Sequence, residues 1–96
     1  MTSAVGERER VAVSGTLTLV SARAQLESGA ARLRDGATIF DLAAVGEVDS
    51  SALTVIFGWQ RAAAGAGTTI RIDNPPPSLL TLAELYGVAE FLPLAS

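Results

Sequence analysis

Short β-forming runs alternate with helix-favouring stretches along this chain, and that alternation restricts its fold more than any other feature. Residues 37–42, Ala-Thr-Ile-Phe-Asp-Leu, form a brief apolar run bounded by turn signals. Such a run reads as a buried central strand. Residues 69–73 alternate cleanly, with Ile70 and Ile72 to one side and Thr69, Arg71 and Asp73 to the other, which is the pattern of a half-buried strand. Near the start, Val11, Val13, Thr16 and Leu17 recur around Ser14-Gly15. Glycine tolerates the angles of a tight turn, so two short strands joined there are expected.

Helical patterning fills the intervals. Residues 19–33 favour helix, with Ser28-Gly29 expected to kink or end it. Residues 51–64 form a second helix that stops at Gly65-Ala66-Gly67, and 79–86 a third that Gly87 terminates, with Ser78 as its cap. Phe91 and Leu92 then supply an apolar clasp. The predicted order is β-β-α-β-α-β-α, an α/β domain whose four-stranded sheet is mostly parallel with crossover helices. Residues 1–8 read as a flexible leader and 9–96 as the single domain.

Composition removes several classes of function. With no cysteine and no histidine among 96 residues, the chain has no disulfide framework, no thiolate nucleophile and no Ser-His-Asp triad. Asp41, Glu47 and Asp49 lie close in sequence without a His, Lys or Cys to complete a catalytic set. No metal, cofactor or enzymatic activity is therefore expected. The net charge of −3, with seven dispersed arginines, does not suit nucleic acid. No run of 18 apolar residues is present, so no direct membrane insertion is expected, and the cytoplasm is the expected compartment.

Functional surfaces of open α/β sheets usually lie where strands end and helices begin. Asp49-Ser50-Ser51 occupies such a point. Exposed amides at a helix start favour an anion, and Asp49 or either serine serves as a cap; plain capping accounts for the tripeptide taken alone. The following helix is apolar over an unusually wide arc, with Thr54, Gly58 and Arg61 making its polar side. Two explanations fit: a helix packed on both flanks, or a docking edge formed by Val55 and Trp59. On the third helix Leu79, Leu82, Ala83 and Tyr86 share a core-facing stripe.

Ile39-Phe40-Asp41-Leu42 followed by Val48-Asp49-Ser50-Ser51-Ala52-Leu53 resembles the signature of STAS domains, the fold of bacterial anti-sigma factor antagonists and related modules. The opening Val13-Ser14-Gly15-Thr16-Leu17-Thr18 and the closing Asn74-Pro75 and Leu82-Ala83-Glu84-Leu85-Tyr86-Gly87-Val88 extend that resemblance over nearly the whole chain. Within the family, the closing helix and the Trp59 helix are most similar to the MlaB type. That resemblance implies a non-catalytic subunit that binds the cytosolic (MlaF-like) ATPase of an inner-membrane phospholipid ABC transporter and supports outer-membrane lipid asymmetry. It would sit at the inner membrane only through that partner. The implied contact set is Asp49, Ser50, Ser51, Thr54, Val55 and Trp59. The alternative implied by the same family is an antagonist that binds an anti-sigma factor kinase and is phosphorylated on Ser51. Ala52 stands where the antagonists usually carry glycine, which favours the transport type.

Overall fold

The computed structural model describes residues 10–94, so the expected leader lies outside the described residues. Strand β1 (Arg10–Leu17) leads into helix α1 (Ala22–Arg34), strand β2 (Ile39–Val48) into α2 (Ser51–Gly65), and strand β3 (Arg71–Asp73) into α3 (Pro77–Leu85). A 3-10 turn, Ala89–Phe91, closes the chain. The sheet has three strands in the order β1-β2-β3, and both pairings are parallel.

The expected four-stranded sheet is thus corrected to three strands among the described residues. The hairpin anticipated at Ser14-Gly15 does not form. Gly15 does adopt a positive φ of 82°, but within one continuous strand. Between Ala12 and Ser14 the partner strand advances from Asp41 to Ala44, and between Gly15 and Leu17 it advances from Val45 to Val48. Each time β2 spends three residues against two on β1, so β2 carries two bulges. These bulges also explain why residues 43–48 are strand where a loop was expected. Phe40 and Leu42 are buried at a spacing of two, and Val45 follows at three because the first bulge resets the phase. On the far edge the Ile72 N–H donates to the Pro93 carbonyl at 2.7 Å, and Ile72 bridges Leu94 in parallel. The tail thereby satisfies part of the edge of β3, with Leu92 buried beside it while Phe91 is exposed.

One face of the sheet holds the core. Leu17, Phe40, Leu42 and Ile72 are fully buried there, against Ile56 and Trp59 of α2 and Leu79 of α3. The opposite face is half-open and polar, so β2 is central in the sheet but buried on one side only. Arg10 reaches across it to Asp41 at 3.1 Å and to Asp73, and Arg71 lies 3.4 Å from Asp73. Ion pairs this exposed contribute little each.

Helix α1 runs unbroken through Ser28-Gly29, contrary to the kink expected from sequence. Gly29 is buried, and a Cβ built on it would meet the Trp59 indole Nε1 at 2.1 Å. The glycine is there to seat an aromatic ring, at a cost of about 1 kcal/mol in helix propensity. Helix α3 starts at Pro77, two residues earlier than expected, after extended Pro76, and Ser78 makes no capping bond. Proline suits a first helical position because its missing N–H would be unpaired there anyway.

Candidate functional site

Asp49 organises the point where β2 gives way to α2. Its backbone N–H donates to the Leu17 carbonyl at 3.1 Å, which ties it to the end of β1. One carboxylate oxygen accepts the Ser51 N–H at 2.8 Å and the other accepts the Leu19 N–H at 3.1 Å. A single side chain thus caps the helix and holds the loop that follows β1. Capping was legible in the tripeptide, and the structure gives it to Asp49. Ser50 stands at the helix start with φ −62° and ψ −20° and makes no capping bond. It is exposed, Ser51 is half-buried, and Thr54 is exposed.

The donated Leu19 N–H, and after it the Ser51 N–H, hold the Asp49 carboxyl below the usual carboxylate range. The Asn74 side-chain amide, and after it the Ala43 N–H, do the same for Asp41. A carboxyl with a lowered folded pKa stabilises the fold fully above its unfolded pKa of about 3.9 and loses that contribution as pH falls through the folded value. The denaturation midpoint should therefore be flat from pH 8 to about pH 5, where no histidine titrates, and should fall below about pH 4. Asp49→Asn should reduce that acid slope; an unchanged slope would show that the capping carboxylate is not what acid removes.

Val55 and Trp59 do not form a docking edge. Both are 1% exposed, and Trp59 turns into the core. Its ring lies 4.6 Å from that of Phe40, tilted by 36°, and its Nε1–H donates to the Gln25 carbonyl at 3.1 Å. The wide apolar arc of α2 belongs to a helix flanked by α1 on one side and the sheet on another. The accessible surface lies one flank further round. Ser50, Leu53, Thr54 and Phe57 follow at i, i+3, i+4 and i+7, and with Tyr86 and Val88 they line an open groove of about 330 Å³.

Large apolar residues are exposed on segments connected to this groove. Leu19 and Val20, in the loop fastened by Asp49, are 77% and 97% exposed, and Leu85 and Tyr86 at the end of α3 are 75% and 57% exposed. Tyr86 therefore leaves the core stripe on which the sequence placed it. Sequence reasoning overlooked Leu19, Val20, Leu53, Phe57 and Val88 as surface or groove residues. The helix expected over 19–33 takes in Leu19 and Val20, but the observed helix starts at Ala22 and leaves the pair in a turn. Among the described residues no group of His, Cys, Asp and Glu is placed to hold a metal ion, and no helix is long and apolar enough to cross a membrane.

A family model described as "Mlab, STAS domain" matches residues 1–94. The chain belongs to this STAS family. Among solved structures 13 chains match, including the anti-sigma factor antagonist SpoIIAA in its unphosphorylated form. That likeness has a TM-score of 0.61 at 19% identity and covers 93% of this chain and 81% of SpoIIAA, which establishes a shared fold. No curated protein matches the chain. In this STAS domain Asp49-Ser50-Ser51 stands at the junction of the central strand and α2, with Ser50 on the rim of the groove.

Proposed function

We propose that this STAS domain is a non-catalytic subunit that docks on the cytosolic ATPase of an Mla-type phospholipid transporter and supports its assembly or activity, and through it outer-membrane lipid asymmetry. The observation that carries the reading is the groove beside Ser50. It is an accessible, mostly apolar depression lined in part by exposed Tyr86, with Leu19, Val20 and Leu85 exposed on the segments next in the chain or hydrogen-bonded to its helix tip, on a domain of the MlaB-type STAS family. Contiguous apolar surface of that kind marks a contact with another macromolecule. The contact set is accordingly Ser50 and Thr54 on α2, with Asp49 and half-buried Ser51 holding the helix tip in place. Affinity purification of the full chain from its native host should recover an ABC ATPase. Recovery of a histidine-kinase-like anti-sigma factor in its place would overturn the reading.

One observation favours a second reading. Ser51 lies beside Asp49, whose carboxylate already accepts its N–H. A phosphate on Ser51 would bring roughly −1.5 to −2 charges against that carboxylate and so act as an electrostatic switch on docking. Intact mass of the host-purified protein, before and after phosphatase, separates the two readings. One phosphate on Ser51 in stoichiometric amount supports the switch, and an unmodified mass in every growth condition retires it.

A further inference from the structure

Leu19 and Val20 form the tip of a turn that is pinned at both ends. The Ser21 N–H donates to the Thr18 carbonyl at 3.1 Å, and the Ser21 hydroxyl accepts the Thr18 N–H at 3.0 Å. The same hydroxyl donates to the Thr16 carbonyl at 2.8 Å, and the Asp49 carboxylate accepts the Leu19 N–H at 3.1 Å. Held in this way, the two side chains are 77% and 97% exposed. A pinned apolar knob has little freedom left to lose on binding, which lowers the entropic cost of a contact.

The same chain carries a receptor for such a knob. The groove over Leu53 and Phe57 is open, and its volume of about 330 Å³ equals that of roughly eleven waters at about 30 Å³ each. That is room for the isobutyl and isopropyl groups of a leucine and a valine. Knob and groove are tied to each other, because Asp49 anchors Leu19 through its side chain and leads through the backbone to Ser50 on the groove rim. Two complementary features so close on one molecule suit a two-fold axis, since each copy then gives a knob and receives one. A foreign partner must bring both a pocket for the knob and a side chain for the groove. We propose that the free chain self-associates as a two-fold dimer in which Leu19 and Val20 of each copy seat in the groove of the other. Two side chains and one shallow groove per copy cover less than the roughly 1,200 Å² of a standard interface, so the dimer is weak and reversible, with a Kd of about 10 µM to 1 mM. Given the docking reading above, the dimer covers the surface assigned to the ATPase, and the two associations exclude each other.

Sedimentation velocity of the full chain, from about 10 µM to about 1 mM, should show the mass rising from one copy toward two. Val20→Asp and Ser50→Trp should each weaken self-association by about tenfold or more. Both should leave the denaturation midpoint unchanged, because both positions are exposed. Mixing the two variants separates a knob in a groove from any other self-contact. The Val20→Asp copy keeps an open groove and the Ser50→Trp copy keeps its knob, so one of the two contacts is restored. Isotope-labelled Val20→Asp chain should therefore show shifted Leu53, Phe57 and Tyr86 amide signals when unlabelled Ser50→Trp chain is added, and unshifted ones when unlabelled Val20→Asp chain is added. A monomer over the whole concentration range, growth beyond two copies, a dimer indifferent to either substitution, or a mixture that shifts nothing would overturn the proposal. Co-purification of the ATPase tests the docking reading separately. An ATPase recovered with a chain that stays monomeric when free sinks the dimer alone, and a dimer with no ATPase recovered sinks the transporter reading alone.

Discussion

Replacing Trp59 with alanine is expected to cost about 3–5 kcal/mol, a large share of the roughly 5–15 kcal/mol available to a domain of this kind. The residue is 1% exposed, its ring lies against Phe40, and its indole fills the space left by the missing side chain of Gly29. Little nearby can collapse into the void, because the backbones of α1 and β2 fix its walls. Trp59→Phe should cost far less. It keeps an aromatic ring near Phe40 and gives up part of the indole packed on Gly29 and the bond to the Gln25 carbonyl, which lies in the helical stretch that accepts an intrahelical N–H. Trp59 is the only tryptophan, so unfolding of these variants must be followed by far-ultraviolet circular dichroism and not by intrinsic fluorescence. An unchanged midpoint for Trp59→Ala would mean that the ring is not seated as described.

Gly29 gives the same packing a second test. A methyl group there would stand 2.1 Å from Trp59 Nε1 and 2.6 Å from two ring carbons, distances that force the ring or the helix to move. Overpacking of this kind costs about 1–3 kcal/mol, more than the roughly 1 kcal/mol that alanine gains over glycine in a helix. Gly29→Ala should therefore destabilise the native protein yet become neutral or stabilising when Trp59 is already alanine. That change of sign is a coupling between touching residues. At Gly58 the near atom is the Leu26 Cδ1 at 2.4 Å, the end of a flexible side chain, so Gly58→Ala should cost less than Gly29→Ala.

The same two glycines show where sequence reasoning reaches and where it stops. Alternating element types and apolar periods gave the three helices, the parallel sheet and the position of Asp49-Ser50-Ser51, because each depends on local pattern. Gly29 looked like a breaker because its reason for being glycine lies 30 residues away in Trp59. Residues 43–48 read as a loop because two bulges destroy the period of two that identifies a strand. Val55 and Trp59 offered two readings, since periodicity says that a face is apolar without saying what covers it. The groove stayed hidden for the same reason: Tyr86 and Val88 meet Ser50 and Phe57 only through the packing of α3 on α2. At the helix tip the sequence supplied the right tripeptide, but it could not tell which of three short polar side chains does the capping.

That last distinction sets the largest effect expected on binding. Because Ser50 makes no capping bond and is exposed, replacing it with tryptophan removes nothing that holds the fold. Its stability should change by no more than about 0.5 kcal/mol, the usual range for a surface substitution. Binding should respond very differently. An indole at Ser50 would occupy the mouth of a groove of about 330 Å³ and displace whatever lies over Leu53 and Phe57. A central contact of this kind is worth about 2 kcal/mol or more, so affinity for the ATPase should fall by about thirtyfold or more. Arg34→Ala, exposed at the end of α1 and outside the groove lining, should bind as the native chain does. Thermal denaturation and titration calorimetry on the same preparations read the two quantities separately. A Ser50→Trp variant that folds and binds normally would place the docking surface elsewhere on the domain. One that unfolds would show that this position is held by packing the structure does not reveal.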